Sequence, residues 1–311
     1  EKVAESGAHA IKLQTYTADT LTIDKKDGDF YLGDKDSLWH GMSMYELYQQ
    51  AHTPWDWHKK IFDRCKELGL LCFSSPFDET AVDFLETLNC PCYKIGSTEN
   101  TDYELIKKVA ETGKPVIIST GMATIEELGK ITEVVKKAGC IELILLKCTA
   151  AYPASPADAN LLTIQHMKDM LDCQIGLSDH TLGMGVAVAS VALGAVMVEK
   201  HFTISRKEGG VDSVFSMEPD EFSQMVIETN IAWKAKGFIC YGPIGSENSN
   251  LSRRSLYIVK DINRGEKLTK QNIRSIRPGY GLAAKHINTV LGMKATSDIK
   301  RGTRMSWDLV K

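Results

Sequence analysis

The chain has 311 residues, 43% of them hydrophobic and 25% charged, with a formal net charge of −3. That balance describes one large globular domain with room for a second, smaller one, and no basic run or aromatic–basic ladder points to nucleic acid. No stretch approaches the roughly 18 uncharged apolar residues of a membrane span.

Residues 1–8 have the character of the last turns of a helix closed by Gly7. No initiator Met or signal peptide precedes them. A helix is not the expected first element before a parallel strand, so we expect the sequence to begin inside a larger protein. Strand-like runs then occur at 9–14, 70–74, 92–95, 115–119, 143–147, 174–177 and 196–200. Helical patterns occupy 44–68, 79–88, 102–111, 125–138, 161–171, 182–193 and 218–236. Asp78 and Thr124 are suitable N-caps with acids close behind. Thr112-Gly113-Lys114-Pro115 is a stop followed by proline.

Strands alternating with helices imply a parallel α/β sheet. Seven strands plus a helical stub suggest a (β/α)8 TIM barrel whose first strand is missing from this chain. A doubly wound open sheet is the competing architecture, but no Gly-x-Gly-x-x-Gly run follows a first strand. The segment 16–43 is long for a connection and is either an excursion over the barrel mouth or an uninvolved insertion. Residues 1–241 form the barrel domain in this reading and 242–252 a linker. Residues 253–311 make a small, mainly β module, with Ser255 to Val259 as a strand and turns at Asn263-Arg264-Gly265-Glu266 and Lys300-Arg301-Gly302-Thr303.

The eight cysteines mostly sit inside apolar runs, which suits reduced core packing in a cytoplasm. Cys90-Pro91-Cys92 is too tight for a zinc knuckle. The strand ends carry the chemistry. Lys12 and Gln14 end the first strand, Ser74 and Ser75 the second, and Lys94 and Ser97 the third. Ser119 and Thr120 come next, then Lys147, Thr149 and Tyr152, then Ser178 and His180, then Lys200 and His201. Lysines and hydroxyls on one rim suit a phosphate and a carboxylate. Lys12 and Lys94 lie among apolar residues, where an unpaired ammonium is costly; Lys147 suits a solvated rim.

His180 and His201 end neighbouring parallel strands, and two imidazoles there are half of a metal site. Asp179 and Glu199 could orient the rings. Asp212, after the flexible Glu208-Gly209-Gly210 loop, could contact substrate or a metal-bound water.

The runs Lys12-Leu13-Gln14-Thr15-Tyr16, Phe73-Ser74-Ser75-Pro76-Phe77, Tyr93-Lys94-Ile95-Gly96-Ser97, Ser119-Thr120-Gly121-Met122, Ser178-Asp179-His180-Thr181-Leu182-Gly183 and Glu199-Lys200-His201-Phe202-Thr203 resemble the sialic acid synthase family. That family condenses phosphoenolpyruvate with an N-acylated hexose to make nonulosonic acids. Residues 253–281 resemble its antifreeze-like (SAF) domain. Tyr45-Glu46-Leu47-Tyr48, Thr53-Pro54-Trp55-Asp56-Trp57-His58 and Gly210-Val211-Asp212-Ser213 lean toward its pseudaminic acid branch over the N-acetylneuraminate and legionaminate branches.

The resemblance implies that His180 and His201 hold a divalent ion, usually manganese. It implies that Lys12, Ser75, Lys94, Ser97, Ser119 and Ser178 surround phosphoenolpyruvate, with Lys94 and the two histidines catalytic. Gln14, Tyr152 and Asp212 would face the sugar, and Arg277 would reach its acyl group from the partner in a domain-swapped homodimer. Two departures stand out. The family's catalytic glutamate belongs to a barrel strand ahead of residue 1, and Ala150 stands where some members carry a polar residue. Two other readings remain at this point: a Schiff-base aldolase using Lys94 or Lys200, and a non-catalytic sugar-binding barrel.

Overall fold

The computed structural model describes residues 1–35, 38–244 and 249–311, in two compact units, Glu1–Gly237 and Phe238–Lys311. Residues 245–248 of the linker read from the sequence lie outside the described residues.

The first unit is built on seven parallel strands in sequential order: β1 (Ala10–Thr15), β2 (Leu71–Pro76), β3 (Tyr93–Ile95), β4 (Val116–Ser119), β5 (Leu143–Cys148), β6 (Gln174–Asp179) and β7 (Val198–Lys200). Each strand neighbours the next, as right-handed βαβ crossovers require. All seven strand readings correspond to observed strands. If the sheet were flat, β1 and β7 would lie about 29 Å apart at ordinary strand spacing. Instead Lys12 of β1 and Glu199 of β7 touch at 2.7 Å, so the sheet curls back on itself in the manner of a barrel. β1 and β7 are its two edges. Among the described residues no backbone hydrogen bond joins them, and a cleft of about 800 Å³ runs between them, lined by Ile11, Leu13, Met197 and Val198 among others.

Two short helices come first, α1 (Lys2–Glu5) and α2 (Ala18–Leu21). The sequence suggested one helix over 44–68, but two are present, α3 (Met44–Ala51) and α4 (Trp55–Glu67). Pro54 supplies no amide donor and forces the residue before it out of helical geometry. α3 has already stopped at its C-cap His52, which is extended (ψ 147), and α4 restarts with Pro54 at its N-cap. α3 opens on a reciprocal cap: Ser43 Oγ accepts from the Glu46 amide, and the Glu46 carboxylate accepts from the Ser43 amide. The later helices α5 (Glu79–Thr87), α6 (Tyr103–Ala110), α7 (Ile125–Lys137), α8 (Leu162–Met170), α9 (Gly185–Ala192) and α10 (Pro219–Lys236) follow the sequence pattern. α9 starts three residues after the sequence reading, beyond a turn at Gly183 (φ +72).

The main core packs Tyr93, Ile95, Val116, Ile118 and Leu145 of the sheet with Ile106, Ile131 and Ile164 of the helices, all fully buried. The second unit has its own core around Leu256, Ile258, Ile273, Val290 and Ala295, and pairs β8 (Ser255–Ile258) antiparallel to β9 (Ile273–Ile276). Gly265 and Gly302 take positive φ in the two turns read from the sequence.

Candidate active site

In a strand, residues two apart share a face. This parity turns Lys12 with Gln14, Ser178 with His180, and Glu199 with His201 toward the same space, and Asp179 and Lys200 away from it. Lys12, Gln14, Ser75, Lys94, Ser97, Ser119, Tyr152, Ser178, His180, His201 and Asp212 all line one cavity of about 370 Å³. Arg277 belongs to the second unit, where it is exposed just past β9. Leu21, Leu32 and Trp39 from the segment 16–43 also line the cavity, so that segment is an excursion at the mouth.

Glu199 organises the polar floor. Its Oε1 accepts from Lys12 Nζ at 2.7 Å, from Ser178 Oγ at 3.3 Å and from Lys94 Nζ at 3.4 Å. Burial favours its protonated form, but the two ammoniums outweigh this and hold the carboxyl well below the usual carboxylate range. Lys94 is 2% exposed. Burial pulls its ammonium down to about 8 against the attraction of Glu199. The cost of two lysines in an apolar rim is thus met by one carboxylate shared between them.

This corrects the sequence reading of Asp179 and Glu199 as acceptors that could orient the rings. Asp179 faces away from the cavity. Its Oδ2 accepts from Lys200 Nζ at 2.8 Å, with both side chains 1% exposed, and its Oδ1 accepts from the Thr181 amide and hydroxyl. Lys200 is therefore no nucleophile for a substrate in this cavity. Lys147 is also more constrained than a solvated rim residue: it is half-buried and donates to the Cys148 carbonyl and Thr149 Oγ1.

The two imidazoles stand 5.3 Å apart, centroid to centroid. His180 Nδ1 lies 2.9 Å from the Thr149 carbonyl. A carbonyl only accepts, so Nδ1 carries a proton, and in the neutral ring Nε2 is the nitrogen that keeps a lone pair. Burial and the neighbouring Lys12 and His180 pull His201 down to about 3, leaving it neutral. Both rings therefore suit metal ligation, with other positions left for water or substrate oxygens. Among the described residues no group of three or more His, Cys, Asp or Glu side chains is gathered into a complete cage. Asp212 Oδ2 lies 3.7 Å from His201 Nδ1, outside hydrogen-bond range.

Ser119 Oγ is buried in the cavity wall with no hydrogen-bond partner, a donor waiting for an acceptor from a ligand. Gly121 lets Ser97 approach: a Cβ there would lie 2.7 Å from Ser97 Oγ, which instead accepts from the Gly121 amide at 3.1 Å.

Two lining residues went unnoticed in the sequence, and Glu199 was noticed only as a ring-orienting acceptor although parity with His201 placed it on the cavity face. Cys148 is not simply a core thiol, since its Sγ lies 3.8 Å from His180 Nδ1. Glu99, whose Oε2 is buried and unpartnered, follows β3 in a loop where no periodicity betrays direction.

A curled parallel sheet with lysines, hydroxyls and paired imidazoles at its C-terminal rim defines an enzyme of the α/β-barrel class. The chain belongs to the NeuB family, which it matches over residues 1–240, and it carries a SAF domain at residues 253–311. It is 40% identical over 308 residues to the pseudaminic acid synthase of Helicobacter pylori, covering 98% of this chain and 90% of that one. It is 42% identical over 302 residues to the pseudaminic acid synthase of Campylobacter jejuni, covering 96% and 87%. Among solved structures it resembles an N-acetylneuraminic acid (sialic acid) synthetase from Leptospira borgpetersenii, with TM-score 0.70, 29% identity and coverage of 79% and 80%.

Proposed function

We propose that the protein is a pseudaminic acid synthase, a transferase that condenses phosphoenolpyruvate with 2,4-diacetamido-2,4,6-trideoxy-altrose and releases phosphate by carbon–oxygen cleavage. The observation that carries this reading is the gathering of eleven rim residues on one cavity in a chain that is 40% and 42% identical to two pseudaminic acid synthases.

Lys12 and Lys94, held apart by Glu199 until substrate arrives, receive the phosphate and carboxylate of phosphoenolpyruvate. Ser75, Ser97, Ser119 and Ser178 donate to its oxygens, and burial strengthens each of these contacts relative to water. Gln14, Tyr152 and Asp212 face the open-chain sugar. A divalent cation on His180 and His201, manganese in this reading, would polarise the sugar aldehyde as a Lewis acid. The methylene carbon of phosphoenolpyruvate attacks the aldehyde carbon, water adds to the cationic carbon left behind, and the tetrahedral adduct expels phosphate with its bridging oxygen. Arg277 reaches the acyl group of the sugar bound by the partner in a swapped homodimer, and the enzyme works in the cytoplasm.

Assaying the diacetamido sugar and N-acetylmannosamine side by side tests the reading. Turnover confined to the diacetamido sugar supports it. Preference for N-acetylmannosamine would reassign the protein to the neuraminate branch.

A further inference from the structure

The cavity has two kinds of wall. Its charged and hydroxylated lining comes from the strand ends. A second wall is largely apolar and comes from one stretch of chain between β1 and α4: Leu21, Leu32, Trp39, Met44, Leu47 and Ala51, with the rings of Tyr16 and Tyr48 from the same stretch.

This wall is built rather than draped. Tyr31 bridges antiparallel to Ser43. The Leu32 amide donates to the Met42 carbonyl and the Gly41 amide to the Leu32 carbonyl, each at 2.9 Å. Lys26 pairs with Glu46 at 2.6 Å beneath the α3 cap. The Trp39 indole N–H donates to the Val211 carbonyl at 3.2 Å, which spends its polar atom on the loop bearing Asp212, and its ring lies 6.4 Å from that of Tyr152.

Phosphoenolpyruvate carries charged oxygens and one methylene, and its needs are met by the polar wall. A fully hydroxylated hexose would press hydroxyls against the carbon of Leu21, Leu32, Met44, Leu47 and Ala51, at a real cost wherever a hydroxyl finds no partner. We propose that this wall reads methyl groups. It selects a sugar that presents the methyl of a deoxygenated carbon 6 or of a second N-acetyl group over the counterpart bearing hydroxyl there. The proposal rests on the synthase reading above and names the part of the chain that sets its sugar specificity.

The test is a set of calorimetric titrations of the sugars in the presence of phosphoenolpyruvate and a chelator, so that binding is read without turnover. One pair of ligands is the 6-deoxy sugar and its 6-hydroxy counterpart. The other is the 4-acetamido sugar and its 4-hydroxy counterpart. The unsubstituted protein should favour the methyl-bearing member of at least one pair by about tenfold or more. Leu32→Ser and Met44→Ser should cut that ratio several-fold, while Leu32→Met keeps it; Leu21→Ser gives the same reading if either variant folds poorly. The pair whose ratio narrows identifies the methyl. Ratios unchanged in folded serine variants overturn the proposal, as does a parallel fall in phosphoenolpyruvate affinity. Discrimination without phosphate release on adding metal would contradict the synthase reading and leave the wall standing. Phosphate release with unchanged ratios would contradict the wall alone, and absence of any sugar binding would contradict both.

Discussion

Lys12 on β1 and Glu199 on β7 meet at 2.7 Å, although the strands carrying them share no backbone hydrogen bond among the described residues. A side-chain ion pair thus spans the two edges of the sheet at the level of the active site. Lys94 completes the triad at 3.4 Å from the same carboxylate oxygen. Under the proposed function the arrangement holds two cations where the anionic substrate would sit, with an internal anion balancing them in its absence.

Replacing that anion should expose its role. Glu199→Gln leaves two ammoniums with no counter-charge in a largely buried site and should lower unfolding stability by about 3 kcal/mol. Phosphoenolpyruvate should then raise the melting temperature of the variant by more than it raises that of the unsubstituted protein, because it supplies the missing charge. Equal or smaller gains in the variant would show that Glu199 does not stand in for the substrate anion.

The depressed Lys94 gives a pH signature. Burial holds its ammonium at about 8, so it is charged at pH 7 and neutral well above pH 8. The charged form is the one that attracts an anion, so KM for phosphoenolpyruvate should rise as pH climbs through 8 and be flat below 7. Steady-state kinetics from pH 6.5 to 9.5 check this; a KM constant across that range would remove Lys94 from anion binding.

The Asp179–Lys200 pair is a structural counterpart facing away from the cavity, 1% exposed on both sides. Lys200→Met should cost about 3–5 kcal/mol by stranding a buried carboxylate. Lys200→Met combined with Asp179→Leu should recover most of that loss. Urea unfolding of the single and double variants measures it, and additive losses would mean the two side chains act separately.

Each imidazole should be needed for metal. His180→Ala and His201→Ala should abolish manganese-dependent turnover and weaken Mn2+ binding, read by electron paramagnetic resonance, while circular dichroism stays unchanged. Full Mn2+ affinity in either variant would move the metal elsewhere.

Much of this was legible because strand and helix periods differ so clearly here. The seven apolar runs, their polar ends and the paired histidines lie in a simple alternation, and eleven of the twelve site residues that the family resemblance implied line one cavity. Arg277 is the twelfth, on a separate unit. Three features were harder to see. Periodicity runs smoothly through 44–68, and only Pro54 and its effect on Thr53 mark the break. Glu199 was treated like Asp179 because both precede a histidine region, yet Glu199 lies two residues before His201 and Asp179 only one before His180, which sends them to opposite faces. Half of the apolar wall, Leu21, Leu32 and Trp39, comes from a segment rich in Asp, Lys and Gly in which they follow no period, and only the 31–43 pairing orders that segment beside Met44, Leu47 and Ala51 of α3.

The most direct measurement of the central claim uses phosphoenolpyruvate labelled with oxygen-18 at the bridging position, together with the diacetamido sugar and Mn2+. The account predicts one phosphate released per nine-carbon acid formed, with the label in the phosphate, and loss of both products on chelation. Label retained in the sugar acid, or turnover that survives chelation and stops on borohydride trapping at Lys94, would contradict it.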